Sequence, residues 1–286
     1  MSPSGSPRER LGARLRELRA SAFRSGSALA RHLGWQQTKV SKLETGKQLP
    51  SAADLDAWVE AVKADEGVRA ELSGLLTQAR IQYSTWTDMD PVDIVATQAK
   101  IGATEASEVI LRGYQPAMIP GILQTAAYAR ELLTIPGVPP NFVSAPEQIE
   151  ALIAQRIKRQ ELLYQPNREV QIVIGEAALT VHFGTIGTLL GQLDRLVAIT
   201  GLPSVDLRVL PRAVAYPIMP LTGFWLRDDV VRVETITGEQ LITGPDDIAV
   251  YRRAFDLLRE ASVAEADAVA LIQRAAAELR TDQPAP

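Results

Sequence analysis

The stretch SGSALARHLGWQQTKVSKLETG, residues 25–46, decides the fold of the N-terminal part of the chain. Leu29 and Leu33 are four residues apart, so they share one face of a helix. Gly34 follows where a left-handed residue most easily ends a helix, because glycine has no Cβ. A second helix begins near Gln36. The stretch therefore predicts two short helices joined by a tight turn.

The second of these helices has two unlike faces. Val40 and Leu43 are three residues apart and are predicted to bury against the first helix. The opposite face is polar and carries Gln37, Thr38, Lys39, Ser41 and Lys42. A buried seam behind a short polar face is typical of the recognition helix that a helix-turn-helix places in the DNA major groove.

The residue types on this face suit both base edges and phosphates. A glutamine near the helix start can pair with adenine through two hydrogen bonds, and a lysine one turn on can reach guanine acceptors. Thr38 can form a hydrogen bond or contact a thymine methyl group. Lys39 and Lys47 are placed where phosphates are expected to run. The candidate DNA-contacting residues are Ser27, Gln36, Gln37, Thr38, Lys39, Ser41, Lys42 and Lys47.

The segment resembles the DNA-binding domain of the phage Cro/repressor-type (XRE) family of regulators. That family has the pattern L-A-x-x-L-G, a polar-rich helix, and an ending of hydrophobe-Glu-x-Gly. The matching residues here are Leu29-Ala30, Leu33-Gly34 and Leu43-Glu44-Thr45-Gly46. The resemblance implies base contacts at Gln37, Thr38 and Lys42.

The same resemblance implies a structural ion pair. In that family the glutamate pairs with a basic residue of the preceding helix, and Arg19 occupies the matching place for Glu44. One departure is that the family often opens the first helix of the motif with a glutamine, where this chain has Gly26. Ser27 is the candidate replacement, as an N-cap.

The distribution of charge separates DNA binding from the alternative, an ordinary helical hairpin with a solvated face. Residues 1–50 hold ten Lys/Arg and three Asp/Glu, a net charge of +7. The remaining residues hold twenty Lys/Arg and thirty-one Asp/Glu, a net charge of −11, so the whole chain carries a net charge of −4. A basic N-terminal part on an acidic body favours nucleic-acid binding.

Composition limits the remaining classes of protein. The chain has 286 residues, for which two domains are expected, and no cysteine, which favours a reducing cytoplasm. No apolar run approaches the roughly 20 residues that span a bilayer, and the N-terminus lacks the apolar core of a signal peptide. With two histidines and no cysteine, neither a metal site nor a cofactor is predicted. We therefore expect a cytoplasmic, nucleoid-associated protein.

The periodicity predicts two domains. Residues 8–82 form an all-α helix-turn-helix domain of five helices, and Ser, Thr, Asp and Pro cluster near residues 83–91. Residues 92–280 form an α+β regulatory and dimerisation domain. Helices are predicted at 89–104, 146–163, 185–200 and 246–259. Alternating strands and a hairpin predict a small, mostly antiparallel sheet.

A second resemblance covers residues 96–272. The sequence YQPAMIPGILQT at residues 114–125, followed by Tyr128-Ala129-Arg130, is similar to a signature of actinobacterial regulators with a Scr-type (WhiJ-like), antitoxin-like C-terminal domain. The resemblance implies a small neighbour-encoded partner protein that modulates DNA binding. One departure is Gly175, where that family usually has an acidic residue.

The second domain also offers candidate residues for an effector or partner site, namely Gln124, Tyr128, Arg130 and Glu176. The alternative is that these are boundary positions satisfied by their neighbours. Neither a G-x-S-x-G motif nor a P-loop occurs, so an enzyme is not predicted.

The prediction from sequence is a dimeric, sequence-specific transcriptional regulator that binds double-stranded DNA. Two reading heads spaced about 34 Å apart would read a palindrome. Two alternatives for the second domain remain open: an antitoxin-like module that docks and neutralises a small partner protein, or a small-molecule receptor.

Overall fold

The computed structural model describes residues 6–85, 109–135, 145–219, 222–227 and 229–281. It has two compact units, residues 1–83 with 241–250, and residues 84–240 with 251–286. The helix predicted at 89–104 lies outside the described residues. Within the described ranges, no helix is both long and apolar enough to cross a membrane.

The first unit contains the five helices that the sequence predicts. They are α1 (Pro7–Ala22), α2 (Gly26–Leu33), α3 (Gln37–Glu44), α4 (Ala52–Ala61) and α5 (Glu66–Arg80). Their apolar stripes meet in one core, which includes Leu15 of α1, Leu29 of α2, Val40 of α3 and Trp58 of α4. All four of these side chains are buried.

The ends of α2 are set by two residues. Gly34 ends the helix with a φ of 69°, the left-handed conformation that the sequence predicts for it. The N-cap, however, is Ser25, whose Oγ accepts a hydrogen bond from the Ala28 N–H at 3.2 Å. The proposal of Ser27 as the cap is wrong, because Ser27 already lies inside the helix, whereas Ser25 has the extended backbone that a cap requires.

Helix α1 lies close to the end of α3 at Gly12. A Cβ at this position would lie 2.8 Å from the carbonyl oxygen of Glu44 and 2.9 Å from the backbone nitrogen of Gly46. The backbone of α3 therefore occupies the space that any side chain of residue 12 would need.

The strands form a mixed sheet. They are β1 (Ile81–Thr85), β2 (Ile110–Gln115), β3 (Glu169–Gly175), β4 (Val205–Leu210), β5 (Phe224–Leu226), β6 (Val231–Glu234) and β7 (Gly238–Ile242). Within the second unit the neighbouring strands follow the order β6-β5-β2-β3-β4. The pairs β2–β3 and β3–β4 are parallel, whereas β2–β5 and β5–β6 are antiparallel.

The expectation of a small, mostly antiparallel sheet is therefore wrong, although the α+β class holds. Long helical connections separate β2 from β3 and β3 from β4, and such crossovers return the chain in the same direction. A central strand of a parallel sheet is buried on both faces. Strand β3 has this property, since its consecutive residues Ile172, Val173 and Ile174 are all fully buried.

Five further helices follow among the described residues: α6 (Ala126–Leu133), α7 (Pro146–Arg159), α8 (Ile186–Thr200), α9 (Pro245–Glu260) and α10 (Glu265–Thr281). Helices α8 and α10 pack on each other and on β4. Leu189, Leu193 and Leu196 of α8 join Ile272 of α10 in this core. The short turn Gly121–Leu123 precedes α6 and carries the first of the sequence-predicted effector residues at its end.

We expect Gly12→Ala to destabilise the chain by about 1–3 kcal/mol, because the added methyl group overlaps backbone atoms that cannot rotate away. Urea denaturation followed by circular dichroism measures the change. Gly74→Ala is the matched control, since Gly74 lies within α5 with no atom within 4 Å of its Cβ position. This control is expected to stabilise by about 0.5–1 kcal/mol through helix propensity. Equal effects of the two substitutions would contradict the close approach.

Candidate nucleic-acid interface

The outer side of α3 is a continuous polar surface. We call it the recognition face and define it by the exposed residues Gln36, Gln37, Thr38, Ser41 and Lys42. On the opposite side, Val40 and Leu43 are buried in the helical core. The amphipathic pattern of eight residues thus leaves the amide, hydroxyl and ammonium groups in solvent, where a duplex has access to them.

A buried ion pair joins α1 to the end of α3. Arg19 Nε donates to Glu44 Oε1, and Arg19 Nη2 donates to Glu44 Oε2 at 3.4 Å. Both side chains are only 10% exposed. A carboxylate in the last turn of a helix interacts unfavourably with the helix dipole, so the guanidinium of Arg19 offsets that interaction as well as the desolvation of Glu44. The pair sets the position of the recognition face relative to α1.

Lys39 is placed differently from its neighbours on α3. Its Nζ donates to Asp54 Oδ1 at 2.6 Å and lies 4.1 Å from the centre of the Trp35 ring. The ammonium group is therefore directed to the first turn of α4. The sequence suggests that Lys39 contacts a DNA phosphate, whereas this geometry favours a contact with Asp54 within the protein.

Besides Lys39, the helix-turn-helix region carries one cation on the recognition face, Lys42, and three outside it. Lys42, Lys47, Arg24 and Arg31 are all exposed, and none of them forms an ion pair with a described residue. Arg24 precedes α2, and Arg31 lies on it. Neither was among the DNA-contacting residues predicted from the sequence. Their signal was available, since both are basic residues within or just before the first helix of the predicted motif. Ser27 also lies on α2 and is exposed.

In the second unit, Gln124 is buried at the end of the Gly121–Leu123 turn. Its Nε2 donates to the Ile119 carbonyl at 2.7 Å, and its Oε1 accepts from Arg156 Nη1 at 2.7 Å. Its carbonyl oxygen accepts from Gln160 Nε2 at 2.5 Å. With 1% of its surface exposed and these partners, Gln124 is a structural residue of the turn.

Two further glutamines and an arginine complete this arrangement. Gln192 Nε2 donates to the Leu123 carbonyl at 2.9 Å, and Gln192 Oε1 accepts from the Thr125 N–H at 2.6 Å. We call Gln124, Gln160 and Gln192 the amide network. Desolvation lowers the pKa of Arg156 to about 10, and the nearby Glu234 opposes part of that shift. Sequence reasoning missed Arg156, because a basic residue late in a helix is usually solvated.

The structure does not bring the four predicted effector residues together. Tyr128 is buried near Ile119, its ring meets Phe183 edge to face at 6.1 Å, and burial raises its pKa to about 12. Arg130 lies on the surface and donates two hydrogen bonds to Glu150, at 3.0 and 2.8 Å.

Glu176 lies beyond β3 and has its own partner. Its Oε2 accepts from the Arg212 N–H at 2.7 Å. Gln124, Arg130 and Glu176 therefore each pair with a polar neighbour within the protein, which favours the alternative of satisfied boundary positions for these three, whereas the buried hydroxyl of Tyr128 has no hydrogen-bond partner among the described residues.

The backbone of a neighbouring segment explains why residue 175 is a glycine. A Cβ at this position would lie 2.2 Å from the carbonyl oxygen of Pro116, which is closer than any side chain allows. The acidic residue that the resemblance places here would therefore require the segment after β2 to move.

Two known families match parts of the chain. The family described as "Helix-turn-helix domain" matches residues 10–72, and the family described as "Domain of unknown function (DUF5753)" matches residues 98–274. The first match confirms the helix-turn-helix that the sequence predicts. No curated protein matches this chain.

Among solved structures, the chain is similar to TrmBL2, described as an archaeal chromatin protein that shows a novel mode of DNA binding. The identity is 12%, the match covers 89% of this chain and 93% of that chain, and the TM-score is 0.31.

We expect Glu44→Ala to lower the free energy of unfolding by about 3 kcal/mol, because it leaves the guanidinium of Arg19 buried without its carboxylate. Chemical denaturation measures the change. Glu71→Ala is the matched control, since it breaks the Arg14–Glu71 pair, in which Glu71 is 45% exposed. That control is expected to cost less than about 1 kcal/mol. A cost for Glu44→Ala no larger than for the control would contradict a shielded ion pair.

Proposed function

The chain belongs to the DUF5753 family, and we propose that it is a sequence-specific DNA-binding transcriptional regulator rather than an enzyme. The observation that carries the proposal is the recognition face, an exposed polar surface on the second helix of a matched helix-turn-helix domain. The net charge of +7 over residues 1–50 supports it, because phosphate attraction supplies much of the affinity of such proteins. We place the protein in the cytoplasm, on the nucleoid.

Within this proposal the residues near α3 have two kinds of role. Gln37, Thr38 and Lys42 contact base edges in the major groove, with Gln36 and Ser41 beside them on the same face. Lys47 contacts phosphate, and the exposed side chains Arg24, Ser27 and Arg31 lie where they can follow the DNA backbone.

Genome-wide mapping of bound DNA tests the proposal, followed by binding of the purified protein to the recovered fragments. A set of fragments that shares one motif is the expected result. Uniform binding of all genomic fragments at moderate salt would contradict sequence-specific recognition.

We expect Lys42→Ala to relax the base preference at one operator position, at a cost of about 1–3 kcal/mol against the preferred sequence. Competition binding with operator variants measures this change. Lys47→Ala is the matched control, since it removes the same charge from an exposed position outside α3. It is expected to weaken all sequences almost equally and to reduce the salt slope by about one. If both variants weaken all sequences alike, Lys42 is a phosphate contact.

We also propose that the second unit makes the protein a homodimer and receives a small neighbour-encoded partner protein or an effector. The support is the resemblance of residues 114–130 to the signature of actinobacterial antitoxin-like regulators, together with the need of a small reading head for a second copy. Co-purification of a small protein favours the partner, whereas a ligand-dependent rise in melting temperature favours an effector.

One chain has a mass of 31.1 kDa. Dimerisation predicts that light scattering at micromolar concentration gives twice this mass. It also predicts that a footprint covers two half-sites whose centres lie about 34 Å apart. A monomeric mass combined with a single protected half-site would remove dimerisation from the proposal.

A further inference from the structure

Asp54 is the acidic side chain that lies against Lys39 of α3. The distance from Lys39 Nζ to Asp54 Oδ1 is 2.6 Å, and the exposed fractions of the two side chains are 32% and 18%. This partial shielding makes the pair stronger than an ion pair between two freely solvated chains.

The carboxylate of Asp54 is held in place by its own helix. Its Oδ2 accepts a hydrogen bond from the Ser51 N–H at 3.3 Å, and its N–H donates to Ser51 Oγ at 3.1 Å. This capping box occupies the first turn of α4, where a negative charge also interacts favourably with the helix dipole. Asp54 therefore cannot follow Lys39 if the lysine turns towards another anion.

The ammonium group has a second partner on the same side. It lies 4.1 Å from the centre of the Trp35 ring, and Trp35 contacts Trp58 of α4 with the ring centres 6.3 Å apart. Trp58 is 1% exposed and belongs to the core of the helical unit. Both partners of Lys39 are thus anchored to α4.

These contacts determine what Lys39 offers to a duplex. If its ammonium moved to a phosphate, the carboxylate of Asp54 would be left unpaired within the negative field of the DNA, so the exchange releases no net counterion. Lys42 and Lys47 carry no such carboxylate among the described residues and keep their charges for the duplex.

We propose that Asp54 withholds Lys39 from DNA phosphates, so that the charges of α3 and of the turn after it that remain available to the duplex lie C-terminal to Lys39, at Lys42 and Lys47. The N-terminal half of α3 then meets the duplex through the uncharged side chains of Gln36, Gln37 and Thr38. This inference rests on the proposed function. It makes Asp54 a positioning residue that limits the sequence-independent binding of the protein to DNA.

The salt dependence of binding tests this assignment. Fluorescence anisotropy of a labelled 20-bp random-sequence duplex gives the slope of log affinity against log salt between about 50 and 200 mM. Asp54→Asn is expected to steepen that slope by about 0.9 and to raise affinity several-fold, because the lysine becomes available to a phosphate. Lys39→Gln alone is expected to leave the slope unchanged, and the double variant is expected to return to the wild-type slope.

Two control variants separate this effect from loss of charge and from damage to α4. Asp56→Asn removes the same charge from the same helix, but Asp56 pairs with Arg69 and does not contact Lys39. Ser51→Ala removes the hydroxyl of the capping box and leaves the Lys39–Asp54 pair in place. Both are expected to change the slope by less than half as much as Asp54→Asn.

Two results would overturn the inference: a wild-type slope in Asp54→Asn, or a slope reduced by about one in Lys39→Gln. If Asp54→Asn does not fold, as judged by circular dichroism, Asp54→Ser takes its place, with the same steeper slope expected and a wild-type slope overturning the inference. If neither the wild-type protein nor Asp54→Asn binds any duplex, the proposed function fails together with the inference. Binding with an unaltered slope in Asp54→Asn refutes only the inference.

Discussion

The buried pair of Arg19 and Glu44 is the interaction on which the N-terminal unit depends. It connects α1 to the last turn of α3. The backbone of Glu44 also lies against Gly12 of α1, which has no side chain to keep the two backbones apart. Two charges with little solvent contact have few alternative partners, so they fix the relative position of the two helices. The recognition face is presented in one orientation as a result.

The second unit is organised by a different kind of polar contact. The amide network places three buried glutamine side chains against backbone groups around the Gly121–Leu123 turn. Buried amides must be paired, because an unpaired donor or acceptor loses its hydration without compensation. These residues therefore shape the chain after β2, and no effector site follows from their polarity.

The helix-turn-helix could be predicted from local spacing, since the apolar residues of α2 and α3 and the glycine between them act over a few residues. The choice between Ser25 and Ser27 as the cap could not, because both lie within one turn of the helix start and only the backbone conformation distinguishes them. The parallel pairing of β2, β3 and β4 was also beyond reach, since strand direction depends on how distant helical connections pack.

By itself, the sequence determined that residues 25–46 form two amphipathic helices, that their polar side carries amides and lysines, and that the N-terminal part is basic. These properties depend on periodicity and composition alone. Only the tertiary structure decided which cations keep their charge available, because Asp54 meets Lys39 across 15 residues of chain. It likewise decided the surroundings of Arg156 and Gln124, since burial and partners depend on which distant segments fold against each other.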